Sequence, residues 1–191
     1  MEAIIKGAGI FIYPLGICSF MVIFVIIERL IALRAARVMP KALTEAFITG
    51  EILNYQGNLD SVAGRIVAFY RKTNSDPEAL KAFARLEVAR LERGIFILEI
   101  VTTGAPLLGL LGTIVGLFRL FSNQASKGAL TNVADFGGSI SLALITTMLG
   151  ICVAIPALVG NSYLCRRVDL LSARLDMGVE RLIDLSKRSK M

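Results

Sequence analysis

Residues Ile100–Phe118 read IVTTGAPLLGLLGTIVGLF, nineteen positions without a charge. A membrane-spanning helix needs about 20 predominantly apolar residues at a rise of about 1.5 Å each. This stretch is long enough to cross a bilayer. Two further runs are also uncharged: Gly7–Ile27, of 21 residues, and Phe136–Cys165, of 30 residues. The third exceeds the hydrocarbon core by roughly 15 Å, so it should tilt or project from the membrane. A soluble helical domain could bury one such helix, but three are hard to accommodate. The expected fold is an all-α membrane protein with three transmembrane helices, the second and third extended into the cytoplasm.

Composition agrees with that reading. Hydrophobic residues make up 55% of the 191-residue chain and charged residues 19%, against about 45–50% and about 25% in ordinary soluble domains. The absence of His excludes a His-based triad, an imidazole metal site and a His proton relay. Cys18, Cys152 and Cys165 have no CxxC spacing and sit in apolar runs, as small hydrophobes do. No phosphate loop, metal cluster or nucleophile–base pair is visible. An enzyme is therefore not expected, and neither a metal nor another cofactor is implied.

Basic residues set the expected orientation. Residues 29–99 carry 11 Lys and Arg and residues 166–191 carry 7, whereas the N-terminal end has only Lys6 and the 119–135 loop only Arg119 and Lys127. Basic loops stay cytoplasmic. The N-terminus is then periplasmic and the C-terminus cytoplasmic. The first run is an anchor, because its basic cluster Arg29, Arg34, Arg37 and Lys41 follows it and no small-x-small cleavage site intervenes. The expected division is 1–28 for the N-terminus and first transmembrane helix and 29–95 for a cytoplasmic helical segment. Then come 96–121 for the second span, 122–135 for a periplasmic loop, 136–165 for the third span and 166–191 for a cytoplasmic helical tail. Acidic residues interleave with the basic ones, so a solvated helix face is expected in place of a nucleic-acid surface.

Within 34–77, Gly50, Gly57-Asn58 and Asn74-Ser75-Asp76-Pro77 punctuate short helices. Pro77 suits the first turn of a long helix capped by Asp76. Leu80, Ala84, Val88, Leu91 and Ile95 follow at helical spacing, with Glu87 assigned to another face. That helix enters the second span without an obvious stop. Val168, Leu171, Leu175, Val179, Leu182 and Leu185 form a similar stripe in the tail. Periodicity alone leaves open whether these stripes pack within one subunit or also between subunits.

Two spans are rich in small residues. Pro106, Gly109, Thr113 and Gly116 share one helical face, and Gly112 and Gly116 form a small-xxx-small step. In the third span Ala143, Thr147, Gly150 and Ala154 share a face. Close helix packing accounts for the glycines. Thr113 and Thr147 place hydroxyls at mid-membrane depth, and Pro106 and Pro156 free backbone carbonyls, which together could line a polar path. No span has a charged residue in its interior: Glu28, Glu99, Arg119 and Asp135 lie at span ends. Proton-coupled membrane proteins hold titratable groups at depth, so any proton carried here needs a group from another subunit.

The segment Ala105-Pro106-Leu107-Leu108-Gly109-Leu110-Leu111-Gly112-Thr113-Ile114-Val115-Gly116 resembles the second-span signature of the MotA/TolQ/ExbB proton channel family. Ala143-Leu144-Ile145-Thr146-Thr147-Met148-Leu149-Gly150, with Ala154-Ile155-Pro156-Ala157, resembles its third-span signature. Three spans look more like the ExbB/TolQ branch than the four-span stator branch. The resemblance implies a homopentamer around two single-span partners, ExbD-like or TolR-like, whose transmembrane aspartate takes and releases protons. It implies work on TonB-like or Tol–Pal components from the bacterial inner membrane, with rotation of the ring about the partner. It implies an ion pathway at Thr113 and Thr147, to which Thr146 is added because the Thr146-Thr147 pair could also suit sodium. Pore and helix-packing roles follow for Pro106, Gly109, Gly112, Gly116, Ala143, Gly150, Ala154 and Pro156. One departure stands out: Leu142 occupies the position where ExbB and TolQ carry a glutamate. The alternative expectation is a passive membrane scaffold whose small-residue faces only pack.

Overall fold

The computed structural model describes residues 9–40, 43, 45–46, 61–72, 76–127 and 133–189. Among these the regular elements are all helical. A 3-10 turn, Gly9–Phe11, leads into α1 (Ile12–Ala32), and α2 (Ala35–Val38) is a single turn. Helices α3 (Val62–Lys72) and α4 (Pro77–Glu92) follow. Helix α5 (Ile95–Lys127) has 33 residues and α6 (Val133–Ser189) has 57. Three stretches are long and apolar enough to cross a membrane: Ile12–Ala32, Ile95–Ser122 and Ala143–Leu185. The chain is thus an all-α membrane protein. Helix runs further into 122–135 than its polar composition suggests, reaching Lys127 and resuming at Val133. The breakers Gly50, Gly57-Asn58 and Asn74-Ser75 lie outside the described residues.

Contacts divide the chain into two compact units, Met1–Ile27 with Phe96–Ser162, and Glu28–Ile95 with Tyr163–Met191. In the first, Gly160 of α6 receives Ile26 of α1: a Cβ at Gly160 would lie 2.5 Å from Ile26 Cδ1. Leu15, Val22 and Val25 of α1 are buried, whereas Tyr13, Ile17, Phe20 and Phe24 face outward. Such an apolar outer face suits a hydrocarbon solvent and would be costly in water.

The second unit is built on side-chain caps and one buried acid. Ser61 Oγ accepts from the Gly64 N–H at 3.0 Å, closing the first turn of α3. Asp76 Oδ1 accepts from the Glu78 N–H at 3.1 Å, and Pro77 opens α4 at a position that needs no N–H donor. Phe69 and Phe83 stack across α3 and α4 with centroids 4.3 Å apart. Leu80, Ala84, Leu91 and Ile95 are buried as their spacing predicts, and so are Val168, Leu171, Leu175, Val179 and Leu182 of α6.

Two expectations for α4 need correction. Glu87 lies in the core, 0% exposed, instead of on an outer face. Arg65 donates to its Oε2 through both Nη2 and Nε, the latter at 3.1 Å, and Arg90 donates to Oε1 at 2.7 Å. Two guanidinium partners keep the buried carboxylate hydrogen-bonded, the condition under which burying a charge is tolerable. The helix also stops before the second span. Arg93 ends it with φ −56° and ψ 125°, and Gly94 takes φ +94°. That left-handed conformation at the residue after the cap is where glycine terminates helices most readily.

Candidate functional site

Helices α5 and α6 meet through their small residues. A Cβ on Gly109 would sit 2.7 Å from the Thr146 carbonyl oxygen and 2.9 Å from Thr147 Cα. A Cβ on Gly150 would sit 2.5 Å from the Ala105 carbonyl oxygen. Both obstacles are backbone, so neither can swing aside. Gly112 faces the Thr146 side chain, with a would-be Cβ 2.6 Å from Oγ1, and Gly116 faces the Ala143 methyl at 3.0 Å. The two backbones therefore approach as closely as their atoms allow. This is how helices associate where lipid removes the hydrophobic incentive.

The three threonines differ in what their hydroxyls do. Thr146, 1% exposed, donates its single hydroxyl hydrogen toward the Ala143 carbonyl at 2.8 Å and across the interface toward the Gly109 carbonyl at 3.0 Å. Thr113, 8% exposed, donates to Leu110 of its own helix at 2.7 Å. The Thr147 hydroxyl oxygen is buried and has no hydrogen-bond partner among the described residues. An unmet buried hydroxyl is costly in a low-dielectric interior.

The structure brings Gly109, Gly112, Gly116, Ala143 and Gly150 into one contact. Ala154 is buried further along α6, Pro106 is half-buried and Pro156 is exposed. Both prolines lie inside continuous helices. At Pro106 the missing N–H leaves the Thr102 carbonyl without its helical donor. Ala105 was not singled out by sequence, yet it is 0% exposed and its carbonyl faces Gly150. Its one visible signal is its four-residue step to Gly109. Thr146, grouped by sequence only through its pairing with Thr147, is the hydroxyl that spans the two helices.

The interface offers hydroxyls, carbonyls and glycine Cα surface, with no charged residue between Ile100 and Phe118 or between Phe136 and Cys165. Glu99 and Arg119 flank it and are exposed. Among the described residues no three His, Cys, Asp or Glu side chains converge as metal ligands would. Chemically the contact can orient water or an ion by dipoles, but it contains no group that exchanges a proton.

A sequence profile of the MotA/TolQ/ExbB proton channel family matches residues 56–177. The "Biopolymer transport protein ExbB" of Helicobacter pylori (strain J99 / ATCC 700824) is 34% identical over 110 residues, covering 56% of this chain and 72% of that protein. "Biopolymer transport protein exbB1" of Vibrio cholerae is 27% identical over 198 residues, covering 92% and 84%. A "Putative biopolymer transport protein ExbB-like 1" of Synechocystis sp. is 42% identical over 100 residues, covering 51% of this chain and only 38% of its own length.

Proposed function

Because the chain belongs to the MotA/TolQ/ExbB proton channel family, we propose that it is the channel subunit of an energy-transducing motor in the bacterial inner membrane. It uses the proton-motive force with an ExbD-like or TolR-like single-span partner. The work is done in the periplasm, on TonB-like uptake or Tol–Pal components. Its N-terminus is periplasmic and its C-terminus cytoplasmic, and five copies surround the partner helices.

The observation that carries this reading is the α5–α6 contact, which holds buried hydroxyls and no titratable group. Thr147 Oγ1, buried and without a hydrogen-bond partner among the described residues, is a dipole for a water or an ion that enters the contact. The proton acceptor is then the partner's aspartate, with Thr113 and Thr147 as polar neighbours along the path. Leu142 gives this chain no carboxylate of its own at the third-span position, so the partner's acid bears the whole titration.

A passive scaffold has one observation in its favour: the Thr113 and Thr146 hydroxyls already bond to helix carbonyls. Proton flux separates the two readings. Proteoliposomes holding the chain with its single-span partner should acidify under an imposed potential. Thr113→Val and Thr147→Val should assemble normally and lose flux. Wild-type flux in both variants would remove these residues from the path. No flux from the intact complex, with a functional partner aspartate, would leave the scaffold.

A further inference from the structure

The second unit carries two unmatched surfaces on opposite flanks of the same helix. On one flank α4 and α6 enclose an open groove of about 400 Å³. Its floor is Ala84 and Val88; the α4 wall carries Lys81 and Arg85 with Glu92 at one end, and the α6 wall is acidic with Asp176 and Glu180. None of these charges makes an ion pair among the described residues. On the other flank Leu170 is 57% exposed and Met177 65% exposed. Arg174 and Arg181, both exposed, stand beside them at the same seven-residue step.

Helical geometry fixes how these surfaces are related. At 100° per residue, Leu170, Arg174, Met177 and Arg181 form one ridge. It lies roughly 110° around α6 from Asp176 and Glu180. The buried stripe Val168, Leu171, Leu175 and Leu182 lies on the remaining side, between the two flanks. The groove's two walls carry opposite charges but form no ion pair across it among the described residues, and the apolar, basic ridge lies away from it on the same helix. A second copy approached in the same sense can bring that ridge to the groove. Such a head-to-tail contact closes into a ring when the rotation allows.

Register supports the match. Copies of a membrane protein insert the same way round, so a ring relates them by an axis along the membrane normal and equal residues lie at equal depth. Arg174 and Arg181 then bracket the depth of Asp176 and Glu180 on the neighbour. On the other shoulder of the ridge, exposed Asp184 has the sign that the Lys81–Arg85 wall attracts. We propose that the groove between α4 and α6 of one copy receives the Leu170–Met177 ridge of the next copy. Arg174 and Arg181 face Asp176 and Glu180 across this subunit interface. The inference rests on the ring reading above and names where its copies touch outside the apolar spans.

Cross-linking between distinguishable copies tests it. Cys18, Cys152 and Cys165 are first replaced by Ser. Copies carrying Val88→Cys and copies carrying Met177→Cys, with different tags, are then co-expressed and oxidised in membranes. A disulfide-linked heterodimer is expected, in at least fivefold excess over dimers from either single variant alone. Charge reversal supplies the second arm. R174E/R181E and D176R/E180R should each lower the cross-link yield severalfold, and the fourfold combination should recover it. Circular dichroism of each purified variant checks that the helices persist. If native mass spectrometry shows a ring but the Val88→Cys and Met177→Cys copies do not link, the proposed surface is wrong and the ring reading stands. A monomer in membranes and detergent overturns both. Reversals that leave the yield within twofold of the parent overturn the charge pairing and with it the proposal.

Discussion

The Thr146 hydroxyl lies 3.0 Å from the Gly109 carbonyl, a side-chain hydrogen bond reaching from α6 to the backbone of α5. It forms at the place where the two helices have no room for a Cβ between them. Close approach and the polar bridge are one feature. Glycine permits the contact, and the contact brings a carbonyl within reach of a hydroxyl on another helix. In a medium without water, such a bridge sets the register of two rods that otherwise slide over small side chains.

Gly109→Ala should therefore destabilise the helix pair although alanine is the better helix former. The added methyl meets backbone at 2.7 and 2.9 Å, so α5 and α6 must separate. A cost of about 1–3 kcal/mol is expected from overpacking. Gly104→Ala is the control, since nothing lies within 4 Å of its would-be Cβ. It should be neutral or stabilising. Thermal unfolding in detergent, followed by circular dichroism, should rank Gly104→Ala at or above wild type and Gly109→Ala below it.

Thr146→Val keeps shape and removes the bridge. Interhelical hydrogen bonds in membranes average about 0.6 kcal/mol, so a small loss is expected. Thr146→Ser keeps the hydroxyl and should retain that part of the stability. A Val variant more stable than Ser would show that the methyl group and not the hydroxyl matters at this contact.

The three spans and the two buried stripes were legible because both signals are periodic and depend on one segment at a time. Uncharged length marks a bilayer-crossing helix whatever it packs against, and a stripe at steps of three and four marks a buried face. Pair-dependent features were not. Gly109, Gly112 and Gly116 were readable as small, but nothing in α5 says that Thr146, and not its neighbour Thr147, would bridge to it. A helix face shifts by 100° per residue, so adjacent threonines are separated only by the packing of a distant segment. Glu87 was misplaced for the same reason. Its burial needs Arg65, 22 residues earlier, to arrive from another helix. Gly94 carried a readable helix-stop signal, but uninterrupted apolar spacing on both sides masked it.

Glu87→Gln should loosen α3 from α4 more than Arg90→Gln does. Glu87→Gln takes the shared charged acceptor from both Arg65 and Arg90, which are 42% and 59% exposed and can turn to water. Arg90→Gln leaves Glu87 still bonded to Arg65, the contact that joins α3 to α4. Because no buried charge is left unpaired, the loss in Glu87→Gln should stay below the cost of a stranded buried charge, about 3–5 kcal/mol, and that in Arg90→Gln should be about 1 kcal/mol. Hydrogen exchange of the 62–92 segment should rise strongly in the first variant and little in the second. Equal exchange in both would mean that Glu87 is held by packing and not by its arginines.

At Gly94 two physical causes predict opposite orders of substitution. The residue sits at φ +94°, and its missing Cβ leaves room for the Arg29 guanidinium, whose Nε would lie 3.3 Å from it. If backbone strain dominates, Asn should be tolerated better than Ala, because its short polar side chain accepts the left-handed region. If the Arg29 contact dominates, the larger Asn should be worse. Arg29 ends in a flexible side chain that already pairs with Glu28 at 2.9 Å, so it can shift by a few tenths of an ångström. Strain should therefore decide. Gly94→Ala should lose about 1–2 kcal/mol and Gly94→Asn less, by thermal unfolding. Repeating both in an Arg29→Ala background should leave the order unchanged, with a coupling below about 0.5 kcal/mol. A reversed order that disappears when Arg29 is removed would assign the glycine to the guanidinium and not to the turn.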